Sequence, residues 1–311
     1  MTILIELALL AIGFFLLVKG ADWFVEGASG IADKFGIPQL VIGLTVVAMG
    51  TSAPEAAVSI AAALKGTADI TVGNVVGSNI MNILVILGLA SVITVIAVSK
   101  TTVHYEIPFM LAITAVFSYL GYADGEIGFM DGIILWGCFI AYLSYMFVMC
   151  NKGLMQTEAV IVSGSFPMLI IKGIIGMGLI IFGSDITVDA ATELAKIFGM
   201  SERLIGLTIV AFGTSLPELV TSVVAARRGK ADIAIGNIVG SNIFNILFVV
   251  GTSALIIPIV FAEKFLFDCM IAFGAGVLLW ICIARKKELD RVGGLVLLIC
   301  YGAYFGYLMV Q

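Results

Sequence analysis

Residues 43–59 read GLTVVAMGTSAPEAAVS, and residues 206–222 read GLTIVAFGTSLPELVTS, 163 positions later. Eleven of the 17 positions are identical, and each copy sets one glutamate, Glu55 or Glu218, in an apolar stretch. Carboxylates are costly in hydrocarbon and rare there without a task. Two of them, each beside a proline and two hydroxyl residues, point to an ion site near the middle of a membrane.

The repeat extends in both directions without a gap. Gly20 and Asp22 match Gly183 and Asp185, Phe35-Gly36 match Phe198-Gly199, and Asp69 matches Asp232. GNVVGSNIMN at 73–82 matches GNIVGSNIFN at 236–245 in eight of ten positions. The 311 residues are 61% hydrophobic and 12% charged, with a mean hydropathy of +1.17. A soluble domain does not need that; an all-α polytopic membrane protein does. On a yardstick of about 20 apolar residues per span, ten spans are expected, near 3–20, 38–64, 70–98, 106–122, 128–149, 166–184, 201–226, 233–260, 266–284 and 292–310. The first and sixth are expected to continue as helix through 21–35 and 184–198, which are amphipathic and lack strong breakers. The second, third, seventh and eighth carry Gly, Pro, Ser, Thr or Asn at their middles and are expected to be kinked or broken.

Two five-span halves follow, 1–150 and 166–311, joined by a short linker at 151–165. Five is odd, so the second half enters from the opposite side. This inverted repeat places a transporter's substrate site at the interface of the halves, near the midplane. Twelve of the sixteen basic residues, Arg227, Arg228, Lys230 and Arg285–Lys287 among them, fall on the side of the linker; Lys65, Lys196, Arg203 and Lys264 fall on the other. The linker is therefore expected in the cytoplasm and both termini outside. Glu6 interrupts the apolar start, with no basic residues before it and no cleavage site, so the first span reads as a retained helix. The five cysteines, Cys138, Cys150, Cys269, Cys282 and Cys300, show no metal spacing and read as small buried apolar residues. Asp22, Asp69, Asp185 and Asp232 read as capping or interfacial groups, and His104 as solvated. No basic patch suits a nucleic acid, and no cofactor or protein partner is implied.

On an unbroken helix Thr51, Ser52 and Glu55 face one way. Pro54 cannot donate to the carbonyl of Gly50 and crowds it, which frees backbone oxygens around 47–50. Thr214, Ser215, Pro217 and Glu218 repeat the group, with Gly213 as the freed carbonyl. Asn74, Ser78 and Asn82 form a polar stripe at i, i+4, i+8, repeated by Asn237, Ser241 and Asn245. Gly73/Gly77 and Gly236/Gly240 let neighbouring backbones approach. Asn74 and Asn237 alone read equally well as groups that bond helices together. All these donors are hard oxygens. No His or Cys cluster invites a softer metal, and no Arg or Lys awaits an anion. Ca²⁺ takes six to eight such oxygens; Na⁺ and a proton also fit two carboxylates. A channel would share the polar lining, whereas a hydrolase built on Ser52 or Ser215 lacks a His or Lys base in the motif.

The paired GTSxPE and GNxxGSNI segments resemble the repeats of the Ca²⁺:cation antiporter superfamily, its sodium/calcium exchanger branch most of all. H⁺/Ca²⁺ exchangers of that superfamily usually carry an acidic residue where this chain has Ser78-Asn79 and Ser241-Asn242. The short linker fits a compact prokaryotic member. The resemblance implies ten helices, a four-helix ion-binding core and two long tilted helices that slide. It implies ligands at Thr51, Ser52, Glu55 and the Ala48 carbonyl, at Thr214, Ser215, Glu218 and the Ala211 carbonyl, and at Ser78, Asn82, Ser241 and Asn245. Some exchangers carry aspartate where this chain has Asn245. The resemblance implies exchange of Ca²⁺ for Na⁺ by a membrane antiporter rather than an enzyme; cation/H⁺ exchange is the alternative.

Overall fold

The computed structural model describes residues 2–66, 69–151, 165–200 and 211–310. Among these, eight helices are long and apolar enough to cross a membrane, and the bent pair Gln39–Thr51 and Ala53–Leu64 makes a ninth. The span expected at 201–226 begins at 201–210, outside the described residues; its described part is Ala211–Gly213 and Leu216–Arg227. The 152–164 stretch of the expected linker also lies outside the described residues. The third and eighth spans run as helix from Asp69 to Ile93 and from Ala231 to Ile256. Each contains a π-helical turn, Asn82–Leu87 or Asn245–Val250, instead of a break. Their expected tails form short strands. β1 (Ile96–Ala97) pairs antiparallel with β4 (Glu288–Leu289), and β2 (Glu126–Ile127) with β3 (Ile259–Val260). The fourth helix starts earlier than expected, with a π-helical turn at Thr102–Glu106.

Burial sets the arrangement. In 18-residue apolar stretches of Ala231–Ile256 and Thr71–Ile93, 94% and 78% of the residues are buried, against 17% and 22% in Ile3–Phe35 and Phe166–Ile197. The two helices that carry the asparagine stripes therefore form the centre. The two long helices lie outside, as does Arg291–Met309, also at 17%.

Those outer helices, Thr2–Phe35 and Phe166–Ile197, pack along each other antiparallel. Glycines let them touch. A Cβ on Gly20 would lie 2.7 Å from the Gly176 carbonyl, one on Gly27 2.6 Å from the Leu169 carbonyl, and one on Gly183 2.9 Å from the Gly13 carbonyl. Contacts at 13, 20 and 27 against 183, 176 and 169 recur every seven residues, the spacing that keeps one seam facing a partner. A 34-residue helix extends about 50 Å against about 30 Å of hydrocarbon. The pair must tilt or project, as expected for 21–35 and 184–198.

Candidate ion-binding site

The second span is broken, as expected, its two helices meeting at a 50° bend, but the break falls at Ser52 and is not a kink at Pro54. The helix ends at Thr51, Ser52 leaves helical geometry (φ −82°, ψ 7°), and a new helix starts at Ala53. Pro54 lies in the first turn of that helix, where its missing N–H costs nothing. Ser215 (φ −91°, ψ 4°) and Pro217 repeat the arrangement. Thr51, Ser52 and Glu55 consequently do not share one helix face, contrary to the spacing argument for an unbroken helix. The break has a benefit for charge. Glu55 and Glu218 each fall in the first turn of a helix, where free N–H groups and the helix dipole favour an anion.

The halves meet at this point. Ser52 Oγ donates to Glu218 Oε1 at 2.7 Å, and Glu55 and Glu218 lie close enough to interact electrostatically. Thr51 Oγ1 donates to Asn237 Oδ1 at 3.0 Å, and Ser241 Oγ to the Ala48 carbonyl at 3.4 Å. Asn79 and Asn242 exchange side-chain-to-carbonyl bonds of 3.2 and 3.1 Å. Asn82 Nδ2 donates to Asn242 Oδ1 and Asn245 Nδ2 to Asn79 Oδ1, at 2.9 and 3.2 Å. Each of these last two bonds spends the amide's N–H and leaves its oxygen free. Asn242 and Asn79 thus orient the Asn82 and Asn245 oxygens respectively, as outer partners orient the ligands of an ion.

Five buried oxygens in this cluster have no hydrogen-bond partner: Glu55 Oε2, Glu218 Oε2, Asn82 Oδ1, Asn245 Oδ1 and Ser215 Oγ. Ser215 faces Glu55 outside hydrogen-bond geometry. A buried acceptor without a partner costs about 1–3 kcal/mol, more when charged. Several in one place indicate a cationic ligand. Among the described residues the buried charged side chains are Glu55, Glu106 and Glu218, with no buried base. No group of three or more His, Cys, Asp or Glu able to hold a metal occurs among them either.

Other expected residues fare differently. Ser78 is buried. Thr214 is half-buried and lines a cavity of about 300 Å³ with Pro54, Val58, Ser184, Asp185 and Asp189. The Gly213 carbonyl, expected to be free, accepts from Ser184 Oγ at 3.0 Å. Ala48 O also accepts from Ser52 N at 3.0 Å. Ala211 borders the 201–210 stretch, and its side chain lies outside the described residues. Asn74 bonds Ser59 at 2.9 Å and Asn237 bonds Ser222 at 2.9 Å, so both tie helices together. Asp22 and Asp185 sit well inside the two long helices, not at their ends. Of the cysteines only Cys269 is buried, and Cys300 is exposed. His104 is exposed, as expected.

Sequence reasoning passed over Asn79, Asn242 and Ser184. The asparagines lie off the i, i+4 stripe; their signals are identity in both copies of GSNI and the acidic residue that H⁺/Ca²⁺ exchangers carry there. Glu106, at the expected start of the fourth span, was also missed. It is buried, accepts from the Tyr145 hydroxyl at 2.9 Å, and belongs to a different cluster.

Comparison with known proteins identifies the family. The family model described as "Sodium/calcium exchanger protein" matches residues 5–148 and 168–310. The sodium/calcium exchanger MaX1 of Methanosarcina acetivorans is 32% identical over 343 aligned residues, covering 97% of this chain and 98% of its own. The inner membrane protein YrbG of Escherichia coli K12 is 42% identical over 266, covering 82% and 81%, and the antiporter-named CaxA of Alkalimonas amylolytica 38% over 308, covering 95% of each. The solved structure of the sodium-calcium exchanger NCX_Mj superposes with a TM-score of 0.86 at 31% identity, covering 98% of this chain and 99% of the other. With the family model spanning nearly the whole chain and full-length relatives above 30% identity, this multi-pass membrane protein belongs to the sodium/calcium exchanger family.

Proposed function

We propose that the protein exchanges Ca²⁺ for Na⁺ by alternating access, with both ions competing for one carboxylate-centred site. The five unpartnered buried oxygens, drawn from both halves, carry this reading. They are hard donors, and two carboxylates supply a charge that one Ca²⁺ neutralises. A mid-membrane acid costs about 2.5–3.5 kcal/mol on insertion scales, so a bound cation offsets several kcal/mol for the pair. The ligand set is Glu55 and Glu218, with Thr51, Ser52, Ser78, Asn82, Thr214, Ser215, Ser241 and Asn245 and the carbonyls of Ala48 and Ala211. MaX1 and NCX_Mj, both named as sodium/calcium exchangers, support the choice of ions.

The topology we propose is ten spans in two inverted halves, 1–150 and 166–311, with the linker cytoplasmic and the termini outside. Strand pairing supports it. Paired strands lie on one side of the membrane, so an even number of crossings separates them. Between β1 and β4 the described spans are 102–124, 129–151, 166–197, 231–256 and 263–284. Those are five, and 201–227 must supply a sixth. Between β2 and β3 there are three, and the same stretch must supply the fourth. β1 and its counterpart β3 are then five crossings apart, on opposite faces.

Isotope uptake of Ca²⁺ into proteoliposomes under imposed Na⁺, K⁺ or pH gradients tests the exchange. An outward Na⁺ gradient should drive uptake. Uptake driven by pH without Na⁺ would select cation/H⁺ exchange instead, and conductance uncoupled from any counter-ion would select a channel.

A further inference from the structure

The repeat offset of 163 pairs each residue at the inner approach to the site with one at the outer approach, and the two approaches differ. At the outer end Asp185 and Val58 line the open cavity that reaches Thr214. Their counterparts at the inner end are Asp22, Thr221 and Thr51. Thr221 is 0% and Thr51 2% exposed, whereas Val58 is 47% exposed. The outer approach is open and the inner one sealed, where inner and outer follow the proposed topology.

Ion pairs follow the same division. Asp22 pairs with Arg228 at 2.8 Å and Asp33 approaches Lys230 at 3.9 Å, tying the first long helix to the turn between the Leu216–Arg227 and Ala231–Phe244 helices. Lys172 pairs with Glu26 at 2.6 Å, but that bond joins the two long helices to each other. At the outer end Asp185 has no ion-pair partner among the described residues. The counterpart of Arg228 is Lys65, which is exposed and likewise unpaired. In an inverted repeat, what one end does in one state the other end does in the opposite state.

We propose that Asp22–Arg228 and Asp33–Lys230 form a latch that holds the inner approach shut, and that Lys65–Asp185 forms the matching outer latch once the outer approach closes. The latches are unequal. The counterparts of Asp33 and Lys230 are Lys196 and Thr67, which cannot form an ion pair. Two pairs inside against one outside bias the protein toward the outward-open state. Lys65, Asp185, Arg228, Lys230, Asp22 and Asp33 act as positioning residues; none is placed in the ion site. The inference rests on the proposed topology, not on which ions are carried.

The test reads conformation directly. In a variant with the five native cysteines replaced, single cysteines are placed as Val58→Cys or Thr221→Cys. The rate of modification by a hydrophilic methanethiosulfonate is measured on purified full-length protein without Ca²⁺. Half-exposed ion pairs are weak, so each removal should shift these rates about two- to fivefold. Arg228→Ala should speed labelling at the Thr221 position and slow it at the Val58 position. The exchange Asp22→Arg with Arg228→Asp should restore both rates. Lys65→Ala should act oppositely, slowing labelling at the Thr221 position. Lys65 makes no ion pair in the outward-open state, so this arm decides the matter even if Arg228→Ala fails to fold. Unchanged rates in Lys65→Ala, or shifts in the same direction for both variants, would overturn the latch. Since the assay does not depend on Ca²⁺ flux, its failure is distinguishable from failure of the exchange reading.

Discussion

Thr51 and Thr214 hold the same place in the two copies of the motif, yet Thr51 is sealed against Asn237 while Thr214 faces a cavity. The same contrast recurs at Thr221 and Val58, and at Asp22 and Asp185. Around the carboxylates the contrast narrows to one bond, since Ser52 reaches Glu218 but its counterpart Ser215 does not reach Glu55. Glu55 and Glu218 are both buried, both in a first turn and both with Oε2 unpartnered. Asn82 and Asn245 are held by the same exchange of amide bonds. On the proposed reading the shared features belong to the ion and the unshared ones to the conformational state. Substitutions of shared features should therefore act alike in both halves, and the comparison breaks where they do not.

The largest symmetric effect is expected at the carboxylates. Glu55→Gln and Glu218→Gln should each reduce Ca²⁺ transport by about 100-fold or more, at or beyond the 10–100-fold loss typical of an outer partner. Full activity in both would remove them from the site; loss in only one would show that the halves contribute unequally. Next come the orienting asparagines. Asn79→Ala and Asn242→Ala should each raise the Ca²⁺ concentration for half-maximal uptake about tenfold, by releasing Asn245 and Asn82 respectively. A change in maximal rate alone would mean that they stabilise helix packing instead.

A smaller effect probes the outer helices. Gly20→Ala forces a methyl against the Gly176 backbone and should cost about 1–3 kcal/mol in thermal unfolding. Gly178→Ala meets nothing within 4 Å and should be tolerated. Equal melting temperatures would show that the two long helices can separate freely. The smallest effect belongs to Lys286→Ala. Its pair with Asp290 is local and exposed, and transport and melting temperature should not change.

Much of this was legible in the sequence because the repeat counts twice. The offset of 163 located both carboxylate motifs, and the missing breakers at 21–35 and 184–198 marked the two long helices. What local rules could not decide was what a proline does. Pro54 starts a helix rather than bending one, because Ser52 has already left helical geometry. The strands escaped notice because two-residue segments owe their pairing to partners more than 130 positions away. The orienting role of Asn79 and Asn242 escaped as well. Each bonds across the interface of the halves to the other's carbonyl, a contact that no periodicity within one helix can reveal. The cysteines misled for a related reason. In a membrane protein an apolar residue need not be buried in the core, and Cys300 is exposed on its apolar helix.

Binding of isotopic Ca²⁺ to the purified protein at graded Na⁺ concentrations tests the central claim most directly. The account predicts competitive displacement: the apparent Kd rises with Na⁺ while the number of sites stays constant, and binding is lost in Glu218→Gln and in Glu55→Gln. Ca²⁺ binding that is indifferent to Na⁺, or that survives in both variants, would contradict it.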